Sequence, residues 1–290
     1  KEEKHDQQER FSEDRHVHRT GRCGCYVGIH RLQAPPAQAQ IPHPYGYLAL
    51  DPDEMRQRGY DGYKKLLPAN DGTMGHGHCA FGTFNAIIGR LAELDPDSGH
   101  AHIPTQMMEW AAGGAAGFAT FCGALNGACA AIGLICANSD VKKFIADLLT
   151  WYSESFLPTL LAHNFLVPVP GSEYELPQSV ANSNLCHASV TSWCKASGYA
   201  SGSSERSERC ARLTGDVAAK TAELLNTGVG GVLGNPRDNS TICGQCHYKG
   251  TDYDAGQFTR GKMNCHSCHV DIEKVSRNGH KHGHHYVKEE

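Results

Sequence analysis

From residue 46 to about 227, apolar side chains recur at helical rather than strand spacing. Asp51 followed by Pro52 opens a short helix. Phe84, Ile87, Ile88 and Leu91 fall on one face of a helix over about 79–94, which stops before Asp95-Pro96. A glycine-rich helix is expected at about 115–137. Asp140 then begins the most amphipathic stretch: Val141, Phe144, Ile145, Leu148, Leu149 and Tyr152 repeat at i, i+3, i+4, i+7, i+8 and i+11, and the helix ends by Pro158. Two more helices are expected at about 183–195 and 208–226, with a Gly/Ser-rich loop at 198–205 between them.

The two flanks lack this periodicity. Residues 1–45 are polar and rich in His and Gln, so they read as an extended N-terminal arm carrying an isolated Cys23-Gly24-Cys25. After Gly228, residues Gly, Asn, Pro, Asp and Lys become frequent and no apolar stripe survives. The expected fold is therefore mainly α: a helical cysteine-rich domain at 46–227 followed by an irregular segment at 228–290. The run from Trp110 to Ser139 carries no charge, which raises a membrane span. Its Ala/Gly content and central Asn126 favour a buried helix that lets neighbouring backbones approach closely.

A net charge of −4 and 20% charged residues give no footprint for nucleic acid. The chemistry lies in the cysteines. There are 13, and four of them fall in two copies of Cys-x-x-Cys-His: Cys243-Gly-Gln-Cys246-His247 and Cys265-His-Ser-Cys268-His269. This is the attachment signature of c-type haem, in which two thiols bond the porphyrin and the adjacent His ligates the iron. The spacing also suits a structural zinc ribbon. A zinc ribbon needs no His after each pair, whereas haem does, so two haems c per chain are expected on these residues. Haem attachment to this motif normally accompanies export. The chain begins at Lys1 without Met, which a removed signal peptide explains, so a periplasmic location is expected. About sixty residues cannot enclose two porphyrins, whose apolar faces need cover from the helical domain, from each other or from another subunit.

The two haem motifs behind a cysteine-bearing helical domain resemble the split-Soret cytochromes c of sulfate-reducing bacteria. The helical part separately resembles a redox-active family named for its cysteines, whose signature runs Cys, Cys-Gly-Ala-x-x-Gly, Cys, Cys. Here these stand as Cys79, then Cys122-Gly123-Ala124-Leu125-Asn126-Gly127, then Cys186 and Cys210. The resemblance covers roughly residues 70–226 for the redox domain and nearly to the C-terminus for the cytochrome. It implies a homodimer whose haems stack with nearly parallel planes, and bis-histidine iron with an axial ligand that the partner chain can supply. It also implies an iron–sulfur centre among the remaining cysteines. The N-terminal arm has no counterpart in that pattern.

Distal haem ligands are more readily found among His than among the five Met. His76 and His78, beside Cys79, and His187, after Cys186, are the candidates, against the alternative of solvent-facing or hydrogen-bonded side chains. The tract with His280, His282, His284 and His285 reads as a mobile metal-scavenging tail. His16, His18, His100 and His102 are weaker candidates in polar surroundings. Cys122, Cys129 and Cys136 recur every seven residues, about two turns apart, too far for all three to bind one small cluster. Cys79, Cys122, Cys186 and Cys210 are the expected cluster set, with a thiol redox switch or inert core cysteines as alternatives. The overall expectation is an exported electron carrier serving redox-protein donors and acceptors, with no catalytic acid or base. A haem-fed oxidoreductase acting on a small substrate at the cysteine-rich centre is the runner-up.

Overall fold

The computed structural model describes residues 43–164, 166–228, 250–254 and 257. Both haem motifs, residues 1–42 of the N-terminal arm and the C-terminal His tract lie outside the described residues. The described part is mainly α, as expected. Its helices are α1 (Pro52–Tyr63), α2 (Cys79–Phe84), α3 (Arg90–Leu94), α4 (Gly123–Ile135), α5 (Asn138–Glu154), α6 (Leu160–Asn164), α7 (Cys186–Ser197) and α8 (Ser204–Gly228). A two-residue antiparallel pair, β1 (Phe156–Leu157) with β2 (Ser179–Val180), ties the end of α5 to the approach of α7.

Local sequence explains most of the boundaries. Asp51 caps α1, its carboxylate accepting from the N–H groups of Asp53 at 2.9 Å and Glu54 at 2.8 Å, and Pro52 takes the first turn where no N–H is missed. The expected 79–94 helix is continuous in space but is not uniform: a π-helical turn over Asn85–Gly89 joins α2 to α3. Such turns are frequent near functional sites, and this one begins six residues after Cys79.

The expected helix at 115–137 is shorter at its start. Residues 112–121 form a chain of turns, with Gly113, Gly114 and Gly117 at positive φ, and α4 begins only at Gly123. Glycine makes that left-handed path inexpensive, and a stretch this poor in bulky apolar side chains has little burial to gain from a helix. Two 3₁₀ segments, Gly99–His102 and Thr105–Ala111, carry the chain from α3 to these turns. No described helix is long and apolar enough to cross a membrane.

The core sits between α1, α2, α4, α5 and α8, around Met55, Tyr60, Phe84, Ile87, Leu125, Ile132, Leu148 and Val217. Gly215 of α8 packs directly on the backbone of α1: a Cβ there would sit 2.5 Å from the Arg56 carbonyl oxygen. Gly215→Ala is therefore expected to push two helices apart and to destabilise the protein by about 2 kcal/mol. Thermal unfolding followed by the helical circular dichroism signal checks this; an unchanged midpoint would mean that the contact yields freely.

Charged side chains inside this core come in compensated sets. Arg56 meets Asp216 at 3.1 Å, and Asp216 also accepts from the Thr159 amide at 2.7 Å and its hydroxyl at 2.6 Å. Glu208 receives Arg212 at 2.9 Å, Lys64 at 2.7 Å and the Tyr60 hydroxyl at 3.0 Å. Burying a charge is tolerable only with such partners. Asp216 and Glu208 both lie on α8, and so does the one exception below.

Candidate redox centre

Four cysteines from four separate helices converge on one region. Cys79 opens α2, Cys122 caps the start of α4, Cys186 opens α7, and Cys210 lies in the second turn of α8. Helix starts carry unpaired N–H groups and the positive end of the helix dipole, which favour anionic sulfur. At α4 the N–H groups of Ala124 and Leu125 face the Cys122 sulfur without closing a cap bond, and they favour its anionic form.

The chain folds locally to bring these sulfurs together. Cys122 N–H donates to the Asn184 carbonyl at 2.9 Å, Cys186 N–H to Thr120 at 2.7 Å, and His187 N–H to Ala119 at 3.0 Å. With the Phe121–Leu185 bridge, this ladder clamps Cys122 beside Cys186. Gly123 closes the other side: a Cβ there would lie 2.9 Å from the Cys79 sulfur and 2.5 Å from the Ala111 carbonyl oxygen. Only glycine lets the start of α4 approach Cys79 so closely.

Electrostatics tie the four thiols into one group. Burial, and then Cys122, Cys210 and Cys186, push the Cys79 thiol far above its ordinary range. Burial and the sulfurs of Cys122 and Cys210 raise Cys186 to about 12. Cys122 is raised by burial, against the opposing pull of the Tyr152 hydroxyl and the α4 amides. Four clustered thiols cannot all ionise without a compensating cation.

One cation is already there. Arg209 is 1% exposed, and no carboxylate lies within ion-pair distance of it among the described residues. It donates to the Ser189 hydroxyl at 2.8 Å and points at the Cys210 sulfur at 3.9 Å, and its Nε has no partner. Burial opposes its charge, but Cys210, Tyr152 and Cys122 outweigh that and hold the guanidinium more firmly protonated. Arg56 and Arg212, buried to similar depth, each have a carboxylate. Arg209 has sulfur.

Among the described residues, no three His, Cys, Asp or Glu side chains are placed to hold a single metal ion. Four thiols, helix starts and a buried cation fit an anionic, sulfide-bridged iron group better than a single ion. Cys79 and Cys122 lie deep, whereas Cys186 and Cys210 are half-buried, so one edge of the centre faces the surface.

Other expected residues stand apart. Cys129 is raised to about 12 by burial alone and Cys136 to about 11 by burial and Asp140, so neither shares the four-thiol group. His76 is exposed, its ring 3.9 Å from the Glu109 carboxylate. His78 is exposed at the start of α2, its ring edge-on to Tyr63 at 5.9 Å. His187 is exposed on α7. His100, expected in polar surroundings, is buried and hydrogen-bonded to the Gly46 carbonyl at 2.6 Å. Arg209, Tyr152 and Ser189 were not legible as site residues in the sequence.

Residues 78–224 match the family described as "Putative redox-active protein (C_GCAxxG_C_C)". That name reads Gly-Cys-Ala-x-x-Gly and not the Cys-Gly-Ala-x-x-Gly expected above, so Cys122-Gly123-Ala124-Leu125-Asn126-Gly127 departs from it by an exchange of the first two residues. The chain is 36% identical over 252 residues to the split-Soret cytochrome c of Desulfovibrio desulfuricans, covering 82% of this chain and 83% of that protein. A solved structure described as "A novel iron centre in the split-Soret cytochrome c from Desulfovibrio desulfuricans ATCC 27774" superposes with a TM-score of 0.64 at 34% identity. It covers 77% of this chain and 89% of the other.

Proposed function

Because this chain belongs to the split-Soret cytochrome c family, and is thus a redox protein of electron transfer, we propose that it is an exported, homodimeric dihaem carrier with an iron–sulfur centre. Cys243, Cys246 and His247 hold one haem c, and Cys265, Cys268 and His269 hold the other. Cys79, Cys122, Cys186 and Cys210 hold the centre. The observation that carries this reading is Arg209, a buried cation with no carboxylate at ion-pair distance among the described residues, whose charge the sulfurs of Cys210 and Cys122 favour.

When bound, the haems and the centre each supply a one-electron couple. The protein's own work is to exclude water from Cys79 and Cys122, to present Cys186 and Cys210 toward the surface, and to compensate negative sulfur with Arg209. Donor and acceptor redox proteins exchange single electrons with it. His76, His78 and His187 are exposed and stay candidates for distal ligation of haem iron. Attachment of haem to Cys-x-x-Cys-His normally accompanies export, which supports a periplasmic site of action.

Intact-mass measurement after denaturation is expected to show two covalently retained haem increments per chain. Spectra of the native protein should show six-coordinate, low-spin iron that does not bind carbon monoxide without unfolding. Recovery of the bare polypeptide would defeat the haem assignment. Rapid carbon monoxide binding would mean an open iron site and would favour the oxidoreductase reading.

A further inference from the structure

We infer that Met74, Met107, Trp110 and Phe118, flanked by the cations of Lys65 and Arg206, form a docking surface for an acidic electron-carrier protein. The partner's class rests on the electron-transfer reading above; the surface does not depend on whether iron occupies the four-thiol group. The four apolar side chains are 58%, 55%, 56% and 82% exposed respectively. Single exposed apolar residues are ordinary, whereas a group of them marks a contact surface. Hydrogen bonds place these four together. The Gln106 amide donates to the Thr73 hydroxyl at 2.9 Å and the His76 N–H to the Glu109 carboxylate at 2.7 Å, which lays Met107 and Trp110 alongside Met74. The Ala116 N–H donates to the Trp110 carbonyl at 2.8 Å and sets the turn bearing Phe118 beside Trp110.

That turn is held firmly. Ala116 and Ala119 take positive φ along with Gly113, Gly114 and Gly117, a costly conformation for residues with a side chain. Every N–H from 115 to 119 is bonded locally. Ala115 donates to the Thr120 hydroxyl at 3.0 Å, Gly117 to the Ala112 carbonyl at 2.9 Å, Phe118 to Ala115 at 2.8 Å and Ala119 to Gly113 at 2.9 Å. An aromatic ring on so fixed a turn loses little freedom when a partner covers it. Aromatic anchors of this kind carry most of the energy of an interface.

Lys65 and Arg206 set the sign of the partner. The Lys65 stem packs on Gly77, where a Cβ would lie 2.6 Å from its Cγ, three residues after Met74. Arg206 precedes Ser207, whose hydroxyl is 3.3 Å from that of Tyr63, and the Tyr63 ring meets His78 edge-on. Among the described residues no carboxylate lies within ion-pair distance of either cation. Arg206 donates instead to the Ser201 carbonyl at 2.5 Å. Glu109 is engaged by His76, and Glu205 by the Ser204 hydroxyl at 3.2 Å. Residues 43–228 hold eighteen Asp and Glu against twelve Lys and Arg, so cations without a counter-charge are unusual in this domain. Residues 1–42 hold six acidic against seven basic side chains, and residues 229–290 seven against eight. Neither flank brings an excess of negative charge, whereas a separate acidic protein does. Apolar anchors with charge around them have the layout of a small, salt-sensitive redox encounter.

The test is calorimetric titration of the full, haem-loaded protein with a flavodoxin and with a plant-type ferredoxin, two acidic one-electron carriers, at low and high salt. The wild-type protein should bind them with an affinity that falls as salt rises. Phe118→Ala and Trp110→Ala should each weaken binding about tenfold. Lys65→Glu should weaken it about threefold and flatten the salt dependence, and Arg206→Glu should do the same. Should Arg206→Glu disturb the start of α8, Lys65→Glu decides, because that side chain is exposed. Leu48→Ala and Lys142→Glu are the controls and should change nothing. Both residues are exposed, Lys142 just beyond the end of α4 remote from Cys122 and Leu48 on the segment whose Tyr45 N–H bonds Leu134 there. Failure of both carriers to bind, or equal losses in the controls, would overturn the docking surface and leave the haem and iron assignments standing. Sedimentation of Phe118→Ala would overturn it too if the variant lost a dimer, since a second copy would then cover this face. A protein without iron beyond its haems would defeat the iron–sulfur centre and leave the binding result intact.

Discussion

Cys122→Ser is expected to strip the protein of its non-haem iron while both haems stay attached. Cys122 is the most enclosed of the four: it is 5% exposed and is held by the ladder from residues 184–187. A serine there keeps the shape and loses the soft anionic ligand that iron in a sulfide-bridged group requires. The same change at Cys129, seven residues on, should leave the iron count intact, because that thiol interacts only with the surrounding core. Iron beyond haem should fall by at least about tenfold in Cys122→Ser, given that even outer-shell changes at metal sites cost about 10–100-fold in affinity. Equal losses in the two variants would show general destabilisation and not loss of a ligand.

The second large effect concerns assembly and optics. Residues 228–290 carry both haem motifs and too little apolar sequence to enclose two porphyrins, so the haems are expected to lie face to face with further cover from a second chain. Stacked porphyrins couple their strong transitions, and the Soret band should be split compared with that of an isolated bis-histidine haem. Separating the chains would expose apolar porphyrin, so the dimer should be obligate. Sedimentation over a wide concentration range should give one species of twice the chain mass, with the split band unchanged on dilution. A stable monomer with a single symmetric Soret band would refute both the stacking and the shared interface.

How much of this was legible in the sequence differs from element to element. The stripe from Val141 to Tyr152 gave α5 nearly to its ends, because a one-sided apolar face is a repeating signal that tertiary contacts reinforce. The turns at 115–121 were misread as helix, since Gly and Ala carry no pattern that separates left-handed turns from a buried helix. The π-turn after Phe84 leaves the apolar spacing nearly intact and so left no trace.

The four cysteines were identifiable from their types and a family-like order, and the structure brings them together from four helices. Their surroundings were not identifiable. Tyr152 reads as one more apolar position in the α5 stripe, and Arg209 lies in a run of charges, Glu205, Arg206, Glu208 and Arg212, that resembles a solvated helix face. What distinguishes Arg209 from its neighbours is depth and partner: besides the adjacent Cys210, it meets Ser189, Tyr152 and Cys122, some 20 to 90 positions away.

Haem, total iron and acid-labile sulfide, all measured on one anaerobically purified sample of the wild-type protein, test the central claim most directly. A dihaem carrier with a thiol-bound iron–sulfur centre predicts two covalent haems, more than two irons per chain, and labile sulfide accompanying the excess. Iron equal to haem, with no sulfide, would contradict it and leave Arg209 facing nothing but protein thiols.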